Sequence, residues 1–231
     1  MVGCPPGARV TPRASRVSPP RLFVIFAAEA PVGVVIARGP SRWTNVSRWD
    51  VTTDTVTRGA WFKGRLYETK CDLSPDGELF LAALFKGRRA GTPFTDSWTA
   101  ISRLPWLYAL ALWPIGTTYG GGGRFVGPRE VTLRGVGGPH PDFSPDGIVW
   151  KNGPAALHAS SGEVEGAEWS GRDARNRLVF TREGQLFVRT TRGERRLYDF
   201  RDVAPAPTEA PEWAKAALAP KRRRRHPPSQ S

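Results

Sequence analysis

An all-β fold of several small antiparallel sheets is predicted by this sequence, and three observations carry the prediction. The hexapeptide Asp72-Leu73-Ser74-Pro75-Asp76-Gly77 returns as Asp142-Phe143-Ser144-Pro145-Asp146-Gly147. Short apolar runs alternate with clusters of turn residues along most of the chain. The 231 residues include 22 Pro and 25 Gly, which punctuate many short elements rather than a few long ones.

The repeated turn has a local physical basis. Pro75 and Pro145 suit the second position of a type I turn and Asp76 and Asp146 the third, while Gly77 and Gly147 take the left-handed residue that closes a bulged hairpin. Apolar strand residues follow each copy: Leu79, Leu81 and Leu84 after the first, Ile148, Val149 and Trp150 after the second. Repeats on this scale belong to propellers, solenoids or arrays. Ser74 to Gly77 and Ser144 to Gly147 are therefore read as structural turns.

The first unit contains apolar runs at Leu22–Ala27 and Val32–Ala37 separated by Glu29-Ala30-Pro31, a hairpin pattern. Strands at Val46–Val51 and Thr55–Arg58 complete four, which is the content of one propeller blade. In the second unit, Arg65–Asp72 and Glu78–Phe85 flank the first repeated turn. Thr99–Arg103 and Tyr108–Trp113 form a further pair. The latter run has good helix formers, but a run of six residues enclosed by Pro105 and Pro114 is too short for a stable helix. Gly120 to Gly123 make a loop or a tight passage between strands. The third unit holds Val131–Arg134, Ile148–Lys151 and a strand at Ala155–Ala159. The fourth is a meander of Arg177–Thr181, Gln185–Thr190 and Arg195–Phe200, led by Ala167-Glu168-Trp169-Ser170. Glu212–Leu218 reads as one short helix.

Charge divides the chain into a body and two tails. The formal charge is +13, but Arg9, Arg13, Arg16 and Arg21 at one end and Lys221 to Arg225 at the other carry most of it without acids. Residues 1–20 read as a disordered basic segment, 21–205 as the folded domain, and 206–231 as a Pro/Ala-rich and basic tail. Such tails bind polyanions weakly and without sequence preference, or simply keep the protein soluble. Cys4 and Cys71 form no disulfide framework, and Cys71 is read as a buried free thiol, in keeping with a reducing compartment. No apolar run approaches the ~20 residues of a membrane span. Leu22–Ala30 resembles a signal sequence, but its apolar run is short and Pro31 would follow the cut, so a first strand and a cytoplasmic location are expected, with export as the alternative.

Three sets of residues carry a resemblance. Cys71 to Gly77 and Pro141 to Gly147, an apolar or aromatic residue before Ser-Pro-Asp-Gly and an apolar strand after it, resemble TolB-type and WD40-like propeller repeats. Trp49-Asp50 followed by a polar turn is similar to the end of a WD40-type blade. Trp61-Phe62-Lys63-Gly64-Arg65-Leu66-Tyr67 and Ser97 to Arg103 are similar to uncharacterised bacterial proteins of this size. The resemblance covers residues 21–205 and implies a small β-propeller of about four to five antiparallel sheets, which need not close into a ring. It implies fold far more than activity, because propellers host binders, scaffolds and enzymes alike.

Chemistry finds little footing. His140, His158 and His226 stand in no His-Glu-x-x-His pattern, and neither Cys-x-x-Cys nor Gly-x-Ser-x-Gly occurs. The glycine run is followed by Arg124-Phe125-Val126-Gly127 rather than by the Gly-Lys-Ser/Thr of a phosphate loop. Asp76 and Asp146 lack the alternating oxygen ligands of a calcium loop. No catalytic residue, metal or cofactor is therefore assigned. Aromatic and basic residues do interleave at Trp61, Lys63 and Arg65 and again at Trp98, Arg103 and Trp106, side-chain types that anchor interfaces or stack on single-stranded nucleic acid. Those six are the candidate partner-binding residues, with packing between sheets as their competing role. The function expected is a non-enzymatic binding or scaffold module for a protein or peptide. The alternatives are a nucleic-acid-associated protein using its basic tails and a Trp/Arg face, and a propeller hydrolase with a channel site.

Overall fold

The computed structural model describes residues 18–39, 42–87 and 95–218, and within them the chain is all-β with four small sheets. The basic segments 1–17 and 219–231, with Cys4 and His226, lie outside the described residues.

Sheet one is an antiparallel meander of β1 (Arg21–Phe26), β2 (Val32–Arg38), β3 (Trp43–Asp50) and β4 (Thr55–Lys63), in sequential order. Sheet two begins with the two-residue strands β5 (Arg65–Leu66) and β6 (Asp72–Leu73), which pair in turn with the same edge of β7 (Leu79–Phe85). It continues through β8 (Ser97–Arg103) to β9 (Ala111–Pro114). Sheet three holds β10 (Gly123–Gly127), β11 (Glu130–Leu133) and β12 (Val149–Asn152). Sheet four is the expected meander, β13 (Trp169–Arg172), β14 (Leu178–Arg182), β15 (Gln185–Thr190) and β16 (Gly193–Asp199). A single helical turn, α1 (Glu212–Lys215), follows.

The packing order of the sheets is four, one, two, three, and the alternation of side chains along two strands explains it. In β2, Val34 and Ile36 join the core against sheet two, where they meet Phe80, Ala82 and Ala100. The intervening Val35 and Ala37 join Leu22, Val24 and Trp49 against Trp169, Val179, Leu186 and Val188 of sheet four. In β7, Phe80, Ala82 and Leu84 face sheet one, while Leu79 and Leu81 face Val131 and Leu133 of sheet three. A strand buried on both faces has no polar side to show, so both read as nearly continuous apolar runs. Among the described residues no apolar cluster joins sheet three to sheet four. The chain crosses between them in extended form instead, bonded by Gly153 N–H to Leu133 O, His158 N–H to Thr69 O and Ser161 N–H to Ser170 O, each within 2.9 Å. This arrangement is consistent with an incomplete propeller.

The two repeated turns share a core and differ in use. In each, the serine hydroxyl donates to the aspartate Oδ1, at 2.5 Å from Ser74 to Asp76 and 3.2 Å from Ser144 to Asp146. Gly77 and Gly147 have φ of 74° and 78°, the left-handed values that the turn requires. The first turn closes the β6–β7 hairpin, with Ser74 N–H bonded to Leu79 O at 2.8 Å. The second closes no hairpin. Its leading residues lie along the outer edge of β9, with Leu112 N–H to Phe143 O at 3.2 Å and His140 N–H to Leu112 O at 2.8 Å. The turn then carries the chain to β12, which pairs with β11 in parallel.

Three strand expectations differ from the structure. Arg65–Asp72 is two short strands around a 3-10 turn at Glu68–Lys70, because Lys70 and Arg124 bond across to backbone carbonyls and draw the chain out of the ladder. Tyr108–Leu110 precede β9 rather than belonging to it. Ala155–Ala159 is the extended crossing between sheets, without a strand partner. Beyond sheet four, the described part of the C-terminal stretch docks back on the domain: Ala214 and Leu218 are buried, Leu218 in the core of sheets two and three.

Candidate functional site: a basic cleft between sheets one and two

At one end of the sheet one–sheet two interface the apolar packing gives way to a cleft of about 860 Å³. Six cations line it: Arg21, Arg38, Arg42, Lys63, Arg65 and Lys86. The strand pattern puts them there. Arg21 begins β1 and Arg38 ends β2, and the two are directly opposed in the ladder. They occupy the same alternation as Val34 and Ile36, so the row that faces sheet two ends in two arginines. Arg42 precedes β3, Lys63 ends β4, and Lys86 follows β7.

Gly64 allows the junction between the sheets to be this close. A Cβ there would stand 2.3 Å from the Phe62 ring and 2.7 Å from Phe85 O. Lys63 and Arg65 are thereby held beside the end of β7, where Arg65 is the ladder partner of Phe85.

The cations are arranged rather than neutralised. Arg38 has Glu68 at 3.6 Å, and among the described residues Glu68 is the one carboxylate paired with any of the six. The Lys63 ammonium lies 5.7 Å from the Trp43 ring centre and the Arg65 guanidinium 4.9 Å from that of Tyr67. These ring contacts steady the long side chains without cancelling their charge.

Of the six candidate partner-binding residues, Lys63 and Arg65 reach this cleft. Trp61 stands one step away, edge-on to Trp43 with centroids 6.4 Å apart. Trp98 is half-buried and edge-on to Phe62 at 6.3 Å, packed against the core. Arg103 donates to Trp213 O at 3.0 Å and to Ala216 O at 2.9 Å, so it clamps α1. Trp106 is half-buried in the turn after β8, its backbone N–H donating to Arg103 O at 2.8 Å. Packing therefore engages Trp98, and Arg103 holds the α1 contact. Arg21, Arg38, Arg42 and Lys86 escaped the sequence reading. The signal was present as a cation at or beside four strand ends, which becomes visible once the hairpin register puts Arg21 opposite Arg38.

A second polar constellation lies at the inner edges of sheets two and three. The buried Asp72 carboxylate is bonded to His158 Nε2 at 2.8 Å and accepts the Phe125 N–H at 2.7 Å. Arg124 donates to Cys71 O at 2.9 Å and to Thr69 O at 3.2 Å. These bonds fasten β6, β10 and the crossing segment together. Neighbouring Cys71 is fully buried, which pushes its thiol up to about 12. His140 lies elsewhere, its Nδ1 accepting the Asp142 N–H at 3.2 Å. Neither histidine lines the cleft, and among the described residues no group of three or more His, Cys, Asp or Glu gathers to hold a metal ion. No helix of the described residues is long and apolar enough to cross a membrane.

No protein-family model, curated protein or solved structure matches this chain.

Proposed function

We propose that this protein is a non-enzymatic binding module of propeller-like build that holds an acidic segment of a protein or peptide partner in the cleft between sheets one and two. One observation carries the reading: six cations converge on a single concavity and only one of them, Arg38, has a carboxylate partner among the described residues. Uncompensated like charges around a concave surface raise the local potential and draw in anionic partners. The volume lies within the range of ligand-binding clefts. Membership among TolB-type or WD40-like repeat proteins and a cytoplasmic location belong to the same proposal, the latter in keeping with the free thiol at Cys71.

Nucleic acid is the second reading, favoured by the charge alone. Against it, the aromatic candidates offer no run of open faces for bases: Trp61 and Trp98 pack edge-on against other rings.

The test is fluorescence anisotropy of labelled Glu/Asp-rich peptides with the full-length chain and with a Lys63→Glu/Arg65→Glu variant. Binding that weakens at least about tenfold in the variant, and falls steeply with salt, is expected. Peptide binding that is absent, or indifferent to the double reversal, sinks the proposal.

A further inference from the structure

The Arg21–Arg38 pair has more consequence than its share of the cleft's charge. Directly opposed residues of an antiparallel ladder lie on the same face with Cβ atoms about 5 Å apart, and like charges in that position are destabilising. This pair closes the end of a well-packed apolar row, in strands whose next residues, Leu22 and Ala37, are buried. The repulsion is therefore built into the register and cannot be relieved by sliding one strand, because a slip of one residue would turn the core rows outward. Glu68 meets only one member, Arg38, and at 3.6 Å it is beyond a good charge-assisted hydrogen bond.

We infer that the cleft is selective for a phosphorylated side chain in its partner segment, with the dianionic phosphoryl group shared between the Arg21 and Arg38 guanidinium groups. The inference rests on the reading of the cleft as the partner site. A phosphoryl group presents three acceptor oxygens and nearly two charges, so it can accept from two guanidinium forks at once. A carboxylate has two oxygens and one charge, and it satisfies one fork. Lys63, Arg65, Arg42 and Lys86 then surround the pair as further point charges or forks for flanking acidic residues. A phosphodiester strand is the poorer fit, since each of its phosphates carries a single charge and the bases would find few open aromatic faces.

The experiment uses the full-length chain and three fluorescent probes: a phosphoserine peptide library with acidic flanks, the same library with Glu in place of phosphoserine, and a dT oligonucleotide. The phosphoserine library is expected to bind at least about tenfold more tightly than the Glu library. In an Arg21→Gln/Arg38→Gln variant the phosphoserine library should lose at least about tenfold more affinity than the Glu library, so that the preference vanishes even though both bind more weakly. An Arg21→Lys/Arg38→Lys variant, which keeps the charge and loses the forks, should lose most of the preference too, and it serves if the Gln variant does not fold. Equal affinity for the phosphoserine and Glu libraries overturns the inference and leaves the acidic-partner proposal standing. Failure of both libraries to bind removes both. Oligonucleotide binding that exceeds phosphopeptide binding and depends on Arg21 and Arg38 overturns the inference in favour of nucleic acid.

Discussion

Arg177 of sheet four grips Asp54 of sheet one through two parallel hydrogen bonds, at 2.9 Å and 2.7 Å, and binds Asp173 at 2.7 Å with its Nε. Asp54 also accepts from Arg195 at 2.7 Å. Asp54 sits in the turn between β3 and β4 with φ of 58°, a left-handed conformation that aspartate tolerates better than most residues. The turn thus aims its carboxylate at the neighbouring sheet. The pair forms a polar rim beside the apolar contact of Trp49 and Val51 with Val179 and Val188.

Asp54→Asn is expected to loosen that interface. Burial works to raise the Asp54 pKa, but hydrogen bonds from Arg177 and Arg195 outweigh it and hold the carboxylate below the ordinary aspartate range. A carboxylate with a lowered folded pKa contributes stability above its unfolded pKa, near 3.9, and loses it as pH falls through the folded value. The substitution should cost about 2 kcal/mol at neutral pH, a fall of about 4–8 °C in Tm for a chain of this size. The wild-type advantage should shrink below about pH 4. Thermal melts followed by circular dichroism across that range check it; a pH-independent difference would count against the assignment.

Lys70→Met should release the glycine-rich loop. The Lys70 ammonium donates to Thr118 O at 2.6 Å, Gly120 O at 3.0 Å and Tyr119 O at 3.2 Å, gathering three successive carbonyls. Methionine keeps much of the stem and removes every donor. Amide hydrogen exchange at residues 118–122 is expected to quicken at least about tenfold, the equivalent of roughly 1–2 kcal/mol, while exchange in β14 and β15 stays unchanged. Equal exchange in both proteins would show that the glycines hold the loop by themselves.

Arg103→Ala should free the helical turn α1 from sheet two. Removing the two bonds to Trp213 O and Ala216 O leaves Ala214 and Leu218 as the anchors. Limited proteolysis is expected to cut within residues 205–218 at a rate raised severalfold, with sheets one to four still protected. Unaltered cleavage would mean that the apolar anchors suffice.

Local rules made much of this fold legible. The apolar runs of β1, β2 and β7, the Ser-Pro-Asp-Gly turns and the meander of sheet four all follow from alternation and turn chemistry within a few residues. The crossing at 153–168 and the parallel β11–β12 pair were not legible, because each depends on bonds between distant residues, such as His158 to Thr69 O. Of the site, Lys63 and Arg65 stood out by their aromatic neighbours. Arg21 looked like part of a basic tail, and Arg38 falls just past the expected Val32–Ala37 strand; only the ladder brings them face to face. Trp98 and Arg103 have the composition of an interface, and the structure gives them contacts with the core and with α1, which residue type alone does not reveal.

The packing order four, one, two, three has a consequence for the chain while it is being made. Sheet one leaves the ribosome first and sheet four last, yet Leu22, Val24, Val35 and Trp49 are covered by sheet four. At ordinary elongation rates this apolar face waits on the order of ten seconds for its cover. Sheets one and two can pack meanwhile, so the nascent protein passes through a half-built state with one greasy flank bare. Substitutions that weaken β14 or β15 would lengthen that interval, so a lower yield of soluble protein would accompany the lower melting temperature.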